Sequence, residues 1–112
     1  MNLKFENKIV LLTGGTGGVG KHIALDFLKE KATVVLLYRN QTKFQNLELW
    51  LAEKVKTDGE LFGIQTQIIT PQDTRYAIKT VIDQHKKIDV LVNCAGFAIE
   101  APLLLLEDEM IE

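Results

Sequence analysis

The chain has 112 residues, of which 46% are hydrophobic and 25% are charged, and its formal net charge is −2. This length and composition predict one globular domain over residues 1–112. The small charge without a basic block argues against nucleic-acid binding, and the lack of a long apolar run argues against a membrane span. The polar N-terminus does not resemble a signal peptide. The one cysteine, Cys94, fits a reducing compartment, so we expect a cytoplasmic protein.

The first half of the chain alternates between buried strands and an amphipathic helix. Short runs of apolar residues predict strands over residues 8–13 and 33–38, and glycines end the first run. Between them, apolar residues recur at helical spacing and predict a helix after Gly20. The apolar stripe of this helix consists of Val19, Ile23, Ala24, Phe27 and Leu28.

The second half continues the alternation. A helix is predicted over residues 42–57, then a strand over 61–69 that Gly63 interrupts, a helix over 71–85 and a strand over 88–93. A fourth helix opens near Pro102, since proline suits a first helical position. The order βαβαβαβ plus the start of a helix predicts right-handed crossovers and a parallel sheet. The predicted fold class is therefore α/β, a truncated Rossmann-type doubly wound sheet.

The segment from Thr13 to Gly20 holds five glycines within seven residues, directly between a predicted strand and a predicted helix. The negative charge of a pyrophosphate must be met by hydrogen-bond donors, which the free N–H groups at a helix N-terminus provide. Side chains must be absent where the backbone approaches the phosphates. This context predicts a dinucleotide-binding turn; the alternative is a glycine-rich connection that binds nothing.

Two motifs carry a resemblance to a known family. The spacing Thr13-Gly14-x-x-x-Gly18-x-Gly20 resembles the T-G-x-x-x-G-x-G signature of the short-chain dehydrogenase/reductase family. The segment from Asn93 to Gly96 is similar to the family's N-N-A-G, with Cys94 in place of the second asparagine. The resemblance covers essentially the whole chain and implies a nicotinamide dinucleotide as its partner. It also implies that residues 1–112 are the N-terminal dinucleotide-binding part of a Rossmann domain.

The resemblance also implies roles for particular residues. Gly14, Gly18 and Gly20 are expected to shape the phosphate turn, with Thr16 and Val19 near the diphosphate. The ribose on the nicotinamide side is expected beside Asn93, Ala95 and Gly96. The side chain of Asn93 has an alternative, purely structural role, in which it ties neighbouring strands together.

The end of the second strand bears on the choice between NADP and NAD. An acidic residue at this position accepts the ribose hydroxyls of NAD and repels a 2′-phosphate. Here the position holds Tyr38, followed by Arg39, whose guanidinium can pair with a phosphate. NADP is therefore favoured and NAD is the alternative, unless Arg39 is simply a solvated surface residue. The position of the family's adenine-contacting aspartate falls on Gln67 or Ile68, so a main-chain contact near Ile68 or Ile69 is expected instead. Asp73 is expected in a helix's first turn.

The catalytic groups that the resemblance implies are a serine and a Y-x-x-x-K pair. Tyr38 and Tyr76 are the two tyrosines, and the residues four positions after them are Thr42 and Thr80. We therefore expect no catalytic residue in this chain, and no metal site, since both histidines are expected on the solvent side of helices.

Two functions remain open from the sequence. The first is the NAD(P)-binding segment of an oxidoreductase that transfers a hydride between nicotinamide and a carbonyl or alcohol, inactive alone, with a small-molecule substrate only if a C-terminal half exists. The second is a non-catalytic nucleotide-binding or regulatory module, or a subunit completed by another chain. A remnant that binds no cofactor is a third. Association into a homo-oligomer is expected through the helix that begins near Pro102.

Overall fold

The computed structural model describes residues 4–14, 16–55, 59–67 and 70–94. Four parallel strands within these residues form one sheet in the order β3-β2-β1-β4, with a helix in each crossover. The predicted α/β fold with a parallel sheet is confirmed. The predicted helix near Pro102 lies outside the described residues. The elements are β1 (Ile9–Thr13), α1 (Gly18–Lys29), β2 (Thr33–Tyr38), α2 (Gln41–Lys54), β3 (Glu60–Gln65), α3 (Pro71–His85) and β4 (Val90–Asn93).

Strand β1 lies at the centre of the sheet and is buried along its whole length. Alternate side chains of β1 and β2 point to opposite faces, so each face has its own apolar core. One core packs β1 and β2 against α1 and α2, and the other packs them against α3. The helical residues in these cores are Ala24, Leu25, Leu28, Phe44, Leu47 and Leu51 on the first face, and Ala77, Ile78 and Val81 on the second.

Several predicted boundaries differ from the observed ones: α2 ends at Lys54 rather than at residue 57, and β4 begins at Val90 rather than at residue 88. For β3 and α1 the structure also shows why the boundary lies where it does. Strand β3 ends at Gln65 rather than at residue 69, since its partner β2 ends at Tyr38, which is in register with Gln65. The N–H of Thr66 donates to the carbonyl oxygen of Tyr38 at 2.8 Å. Helix α1 begins at Gly18, before Gly20, so the last glycines of the motif are helical.

One residue of the apolar stripe predicted for α1, Val19, does not lie on the buried face of the helix. Val19 is 74% exposed, because it lies in the first helical turn beyond the end of the sheet. The buried face of α1 instead includes Gly20 and Leu25 alongside the predicted Ala24 and Leu28. Val19 therefore belongs to the surface beside the glycine turn and not to the core.

The expectation that both histidines face solvent is wrong for one of them. His22 is exposed, and its ring meets Trp50 edge-on with centroids 5.3 Å apart. The Nε2 atom of His85 is buried without a hydrogen-bond partner among the described residues, and its ring packs against Phe62 at 4.8 Å. The end of α3 lies against the edge strand β3, which the spacing of residues along α3 does not reveal. No helix among the described segments is long and apolar enough to cross a membrane.

The predicted interruption of β3 at Gly63 is wrong, because the strand runs through Gly63 in unbroken register with β2. An aromatic ring occupies the space where a side chain of residue 63 would lie. A Cβ added to Gly63 would overlap the ring of Phe44, the first buried residue of α2. The same ring stacks on Tyr38, with centroids 4.1 Å apart and planes inclined by 2°. The glycine therefore lets α2 pack closely on the ends of β2 and β3.

Asp89 joins the N-terminal ends of β1 and β4, at the edge of the sheet away from the glycine turn. Its carboxylate accepts a hydrogen bond from the N–H of Ile9 at 2.8 Å, and its own N–H donates to the carbonyl oxygen of Ile9 at 2.8 Å. The ammonium of Lys87 lies 3.1 Å from the same carboxylate. Partial burial raises the pKa of Asp89, but the Ile9 hydrogen bond, Lys87 and the charge of Lys8 outweigh it, so the pKa lies below 3.8.

Replacing Gly63 with alanine is expected to lower the free energy of unfolding by about 1–3 kcal/mol, because the added methyl group overpacks against Phe44. The measurement is urea denaturation of each variant. Gly18→Ala is the matched control, since a Cβ there meets no atom within 4 Å, and it should leave stability unchanged or raise it by up to about 1 kcal/mol. A Gly63→Ala protein as stable as the parent would contradict this packing.

Asp89→Asn is expected to lower the free energy of unfolding by about 1 kcal/mol at pH 7, because it removes the charge from two interactions. The folded-state pKa is lowered, so the contribution of Asp89 is fully present above the ordinary pKa of 3.8 and is lost as pH falls through the folded value. The difference between parent and variant should therefore narrow below about pH 4. Denaturation midpoints across this range measure it, with Glu48→Gln on exposed helix surface as the charge control. A difference independent of pH would refute the assignment.

Candidate functional site

The carboxyl ends of the strands meet at one edge of the sheet. Thr13, the last residue of β1, is in register with Leu37 of β2 and with Asn93, the last residue of β4. The segments that follow these three strands therefore leave the sheet side by side. In open α/β sheets this edge is where ligands bind, next to the position at which the strand order reverses.

The turn after β1 requires glycine at its first position and leaves room at the later ones. Gly14 has φ of 68°, a left-handed conformation that favours glycine. A Cβ on Gly17 or on Gly18 would meet nothing within 4 Å, so these glycines border open space. Gly20 lies in the first turn of α1 and is buried. The backbone is thus exposed at Gly17 and Gly18 and closely packed at Gly20.

The N-terminus of α1 differs from those of the other two described helices. Its N-cap is Gly17, and no side chain caps it. The N-terminus of α2 is capped by Asn40, whose Oδ1 accepts from the N–H of Lys43 at 2.9 Å. That of α3 has a capping box between Thr70 and Asp73, which confirms Asp73 as a first-turn acid. The first-turn N–H groups of α1 therefore remain available to an external acceptor.

Asn93 ties β4 to β1, as its structural interpretation expects. The hydroxyl of Thr13 donates to the Oδ1 atom of Asn93 at 2.8 Å, and Thr13 itself is buried. The N–H of Cys94 donates to the carbonyl oxygen of Thr13 at 3.0 Å. These bonds hold the C-terminal end of β4 against the residue at which the glycine turn begins. The role of Asn93 toward a ribose stays a prediction beside this structural one.

A cleft of about 230 Å³, here called the inner cleft, opens between the glycine turn and the end of β2. A larger basin of about 530 Å³, here called the outer basin, adjoins it beyond the end of β3. Arg39, Asn40, Lys43 and Thr66 line both cavities. The inner cleft is lined in addition by Thr13, Gly14, Thr16, Leu37, Tyr38 and Cys94, and the outer basin by Gln65 and Gln67.

The charge of these two cavities is positive. Arg39 and Lys43 are their charged lining residues, and no acidic side chain of the described segments lines either one. Neither cation makes an ion pair with a described residue. The carbonyl oxygen of Arg39 accepts from the Nε2 atom of Gln65 at 3.1 Å, which fixes the backbone at this position and leaves the guanidinium free to meet an anion.

Tyr38 contributes to the cleft in a different way from Arg39. Its ring stacks on Phe44, and its hydroxyl donates to the Oε1 atom of Gln41 at 2.7 Å. The side chain therefore supports the first turn of α2 while the residue lines the inner cleft. Tyr38 positions the segment that carries Arg39.

The structure brings several of the predicted site residues together. Gly14, Thr16, Tyr38 and Arg39 line one cleft, and the uncapped turn with Gly18, Val19 and Gly20 follows directly in the chain. Ile68, Ala95 and Gly96 lie outside the described residues, so their predicted contacts stay predictions.

Lys43 is the charged lining residue that was not predicted from the sequence, and the other unpredicted lining residues are uncharged. A helix that begins at Gln41 places Lys43 in its first turn, close to the end of β2. The signal was present in the sequence as a cation four positions after Arg39, at the start of a predicted helix.

Comparison with known proteins gives a family. The short chain dehydrogenase family model matches residues 8–112. The short-chain dehydrogenase/reductase homolog YusS of Bacillus subtilis is 31% identical over 102 residues, which cover 90% of this chain and 91% of YusS. Other curated relatives are longer, and the chain spans about two fifths of the bacterial 3-oxoacyl-[acyl-carrier-protein] reductases that it matches.

Solved structures agree with this assignment. L-sorbose reductase from Gluconobacter frateurii, complexed with NADPH and L-sorbose, is 28% identical with a TM-score of 0.73, and the match covers 87% of this chain and 36% of the reductase. NAD+-bound xylitol dehydrogenase is also 28% identical with a TM-score of 0.73, over 84% of this chain and 35% of the dehydrogenase. From its family match, its glycine turn and its parallel sheet, the chain belongs to the short-chain dehydrogenase family.

Proposed function

We propose that this chain is the NAD(P)-binding part of a short-chain oxidoreductase and that it prefers NADP. The observation that carries the proposal is the uncapped N-terminus of α1, which faces open space at Gly17 and Gly18. Its N–H groups lack side-chain acceptors within the described residues, whereas the N-termini of α2 and α3 have them. A diphosphate supplies the missing acceptors and the negative charge that the helix dipole favours.

The proposed cofactor spans the strand ends. The diphosphate lies over the turn shaped by Gly14, Gly18 and Gly20, with Thr16 and Val19 beside it. The exposure of Val19 supports this placement, since an apolar side chain at 74% exposure is available to cover part of a ligand. The adenosine end extends toward the end of β2 and the backbone near Ile68, and the nicotinamide ribose passes Asn93, Ala95 and Gly96.

The preference for NADP rests on the charges at the end of β2. No carboxylate of the described residues lines the inner cleft, so a 2′-phosphate meets no repulsion there. The guanidinium of Arg39 supplies charge-assisted donors that fit a phosphate. The solved relatives include one complexed with NADPH and one bound to NAD+, so the fold is compatible with either cofactor. The side chains of this chain support the choice of NADP.

The bound nicotinamide would exchange a hydride with a carbonyl or alcohol. The chain's own residues bind and orient the cofactor, but no tyrosine has a lysine four positions later, so the 112 residues lack the pair expected to move the proton. We propose a small-molecule substrate only where a C-terminal half is present. A cytoplasmic location and a homo-oligomer formed through the segment near Pro102 belong to the same proposal.

A second candidate function is a non-catalytic nucleotide-binding module or a subunit completed by another chain. The near-complete overlap with YusS favours it, because that relative has almost the same extent as this chain. The reading frame after Glu112 discriminates between the two functions. A Y-x-x-x-K pair there supports the oxidoreductase, and a stop codon supports the module.

Arg39→Ala is expected to weaken NADPH binding about 10- to 100-fold while leaving NADH binding nearly unchanged, because about 1.5–3 kcal/mol of charge-assisted pairing is lost. Calorimetric titration of both cofactors measures this effect. Lys79→Ala, which removes an exposed cation from α3 on the other face of the sheet, is the control and should change neither affinity. A parent protein that binds both cofactors equally, with no change in Arg39→Ala, would defeat the NADP preference.

The purified 112-residue chain is expected to bind NADPH without oxidising it in the presence of carbonyl compounds. The physical reason is the missing proton donor in the sequence. Absorbance at the nicotinamide band follows turnover, and the fluorescence of Trp50, the one tryptophan, provides an independent check on binding. Carbonyl-dependent oxidation of NADPH contradicts this prediction, and the absence of saturable binding contradicts the cofactor site itself.

A further inference from the structure

We propose that the outer edge of β3 is an interface that pairs, in antiparallel orientation, with β3 of a second copy of this chain. Within the described residues β3 is the last strand on its side of the sheet, and β2 is its neighbour. Glu60, Phe62, Gly63 and Gln65 are exposed along it, with Phe62 at 40%. The inference concerns a protein partner and does not depend on the proposed cofactor.

Alternate residues of β3 direct their backbone groups away from β2. The N–H of Glu60 donates to the carbonyl oxygen of Ala32 at 3.3 Å, and that of Thr66 donates to Tyr38 at 2.8 Å. The even-numbered residues of the strand therefore face β2. Because backbone groups alternate in direction along a strand, the odd-numbered residues turn theirs to the open edge. These are Leu61, Gly63 and Gln65.

The edge of β3 carries none of the usual devices that prevent pairing. Natural edge strands are protected by lysine, proline, a bulge or short length. Residues 60–65 include no lysine, arginine or proline, and their register with β2 is unbroken. The opposite edge strand, β4, has four residues and is preceded by the ion pair of Lys87 with Asp89. The edge of β3 is thus the better template for another strand.

One register makes the edge of β3 complementary to itself. A two-fold axis through Gly63 places Gly63 opposite its counterpart and Leu61 opposite Gln65 of the second copy. Each of these pairs then exchanges both of its backbone hydrogen bonds, as antiparallel strands do. Every outward-facing N–H and C=O group of the three residues is paired, and the interface is closed by symmetry.

The same register pairs apolar side chains on one face of the sheet. Phe62 lies opposite Ile64 of the second copy, in a non-hydrogen-bonded pair where side chains approach most closely. Aromatic and β-branched side chains stabilise such cross-strand pairs. Phe62 already packs on the ring of His85 at 4.8 Å, and Ile64 packs against the second core. The second copy would therefore cover the exposed part of Phe62.

The charges at the ends of β3 favour a second copy as the occupant. The register places Glu60 opposite Thr66 of the other copy. Thr66 lines the outer basin together with Arg39 and Lys43. Each copy therefore brings a carboxylate to the rim of a cavity lined by two cations, and no like charges lie directly opposite each other. Such complementarity selects this chain over an extended peptide of arbitrary sequence.

A disulfide trap tests the register. Opposite residues in a non-hydrogen-bonded pair have Cα atoms about 4.5 Å apart, within the range that a disulfide spans. In the double variant Glu60→Cys, Thr66→Cys, a mild oxidant is expected to give a covalent dimer whose 60–66 disulfide is identified by mass spectrometry of peptides. Within one copy the two positions are about 20 Å apart along the strand, so the bond forms between copies. The single variants and the parent, which all retain Cys94, control for other disulfides.

Sedimentation equilibrium tests the interface without a covalent bond. The paired area is small, so the parent is expected to form a weak dimer with a dissociation constant in the micromolar range. Glu60→Lys is expected to raise this constant about tenfold, because symmetry introduces the reversed charge twice beside the basin cations. Asp26→Lys makes the same charge change on the exposed surface of α1 and should leave the constant unchanged. The denaturation midpoints of both variants verify that they are folded.

Three results would overturn the inference. They are a parent protein that stays monomeric up to about 1 mM, a dimeric double variant without the 60–66 disulfide, and a dissociation constant that Glu60→Lys leaves unchanged. A dimer with either of the last two properties uses another surface, such as the segment near Pro102. In each case NADPH titration of the parent still decides the proposed function separately.

Discussion

The parallel pairing of β1 with both β2 and β4 is the constraint on which the rest of the structure depends. Strand β1 is buried along its whole length. Its partners β2 and β4 run parallel to it and end beside it in register. Thr13, Leu37 and Asn93 therefore bring three connections to one edge. This pairing places the glycine turn beside the ends of β2 and β4, at the edge where open α/β sheets bind ligands.

The three described helix N-termini show how the chain distributes its hydrogen-bond acceptors. Asn40 and Thr70 cap α2 and α3 with their own side chains, and α1 begins at a glycine that has none. Capping by asparagine or threonine stabilises a helix by about 1 kcal/mol relative to alanine, and glycine retains most of that benefit through its backbone freedom. Leaving α1 without a side-chain cap thus has a small cost and keeps its donors open.

The packing around Phe44 links the core to the cleft. Gly63 admits the ring against β3, the ring stacks on Tyr38, and the Tyr38 hydroxyl reaches Gln41 in the first turn of α2. The segment that carries Arg39 and Lys43 is therefore positioned by an aromatic contact that also belongs to the apolar core. The orientation of the two cations depends on how α2 lies across β2 and β3.

The longer apolar patterns could be predicted because burial on a parallel sheet leaves a local signature. The element order, the helix over α3 and the strand over β2 follow from short-range periodicity, and the bounds of these two elements are those predicted. The glycine turn could also be predicted, since its conformational requirement is set within a few residues. The C-terminal end of β3 and the start of α1 could not be predicted in this way. The length of a partner strand and the start of an uncapped helix depend on residues far away in the chain.

The amino-acid sequence by itself determined the alternation of strands and helices, the glycine turn between β1 and α1, and the resemblance to one family. Tertiary structure alone decided the sheet order β3-β2-β1-β4, the burial of the Nε2 atom of His85 against β3, and the exposure of Val19. It also decided that Lys43 joins Arg39 in lining the cleft. The physical reason is the same in each case: these features arise where side chains from separate elements meet, and periodicity along one element carries no information about that meeting.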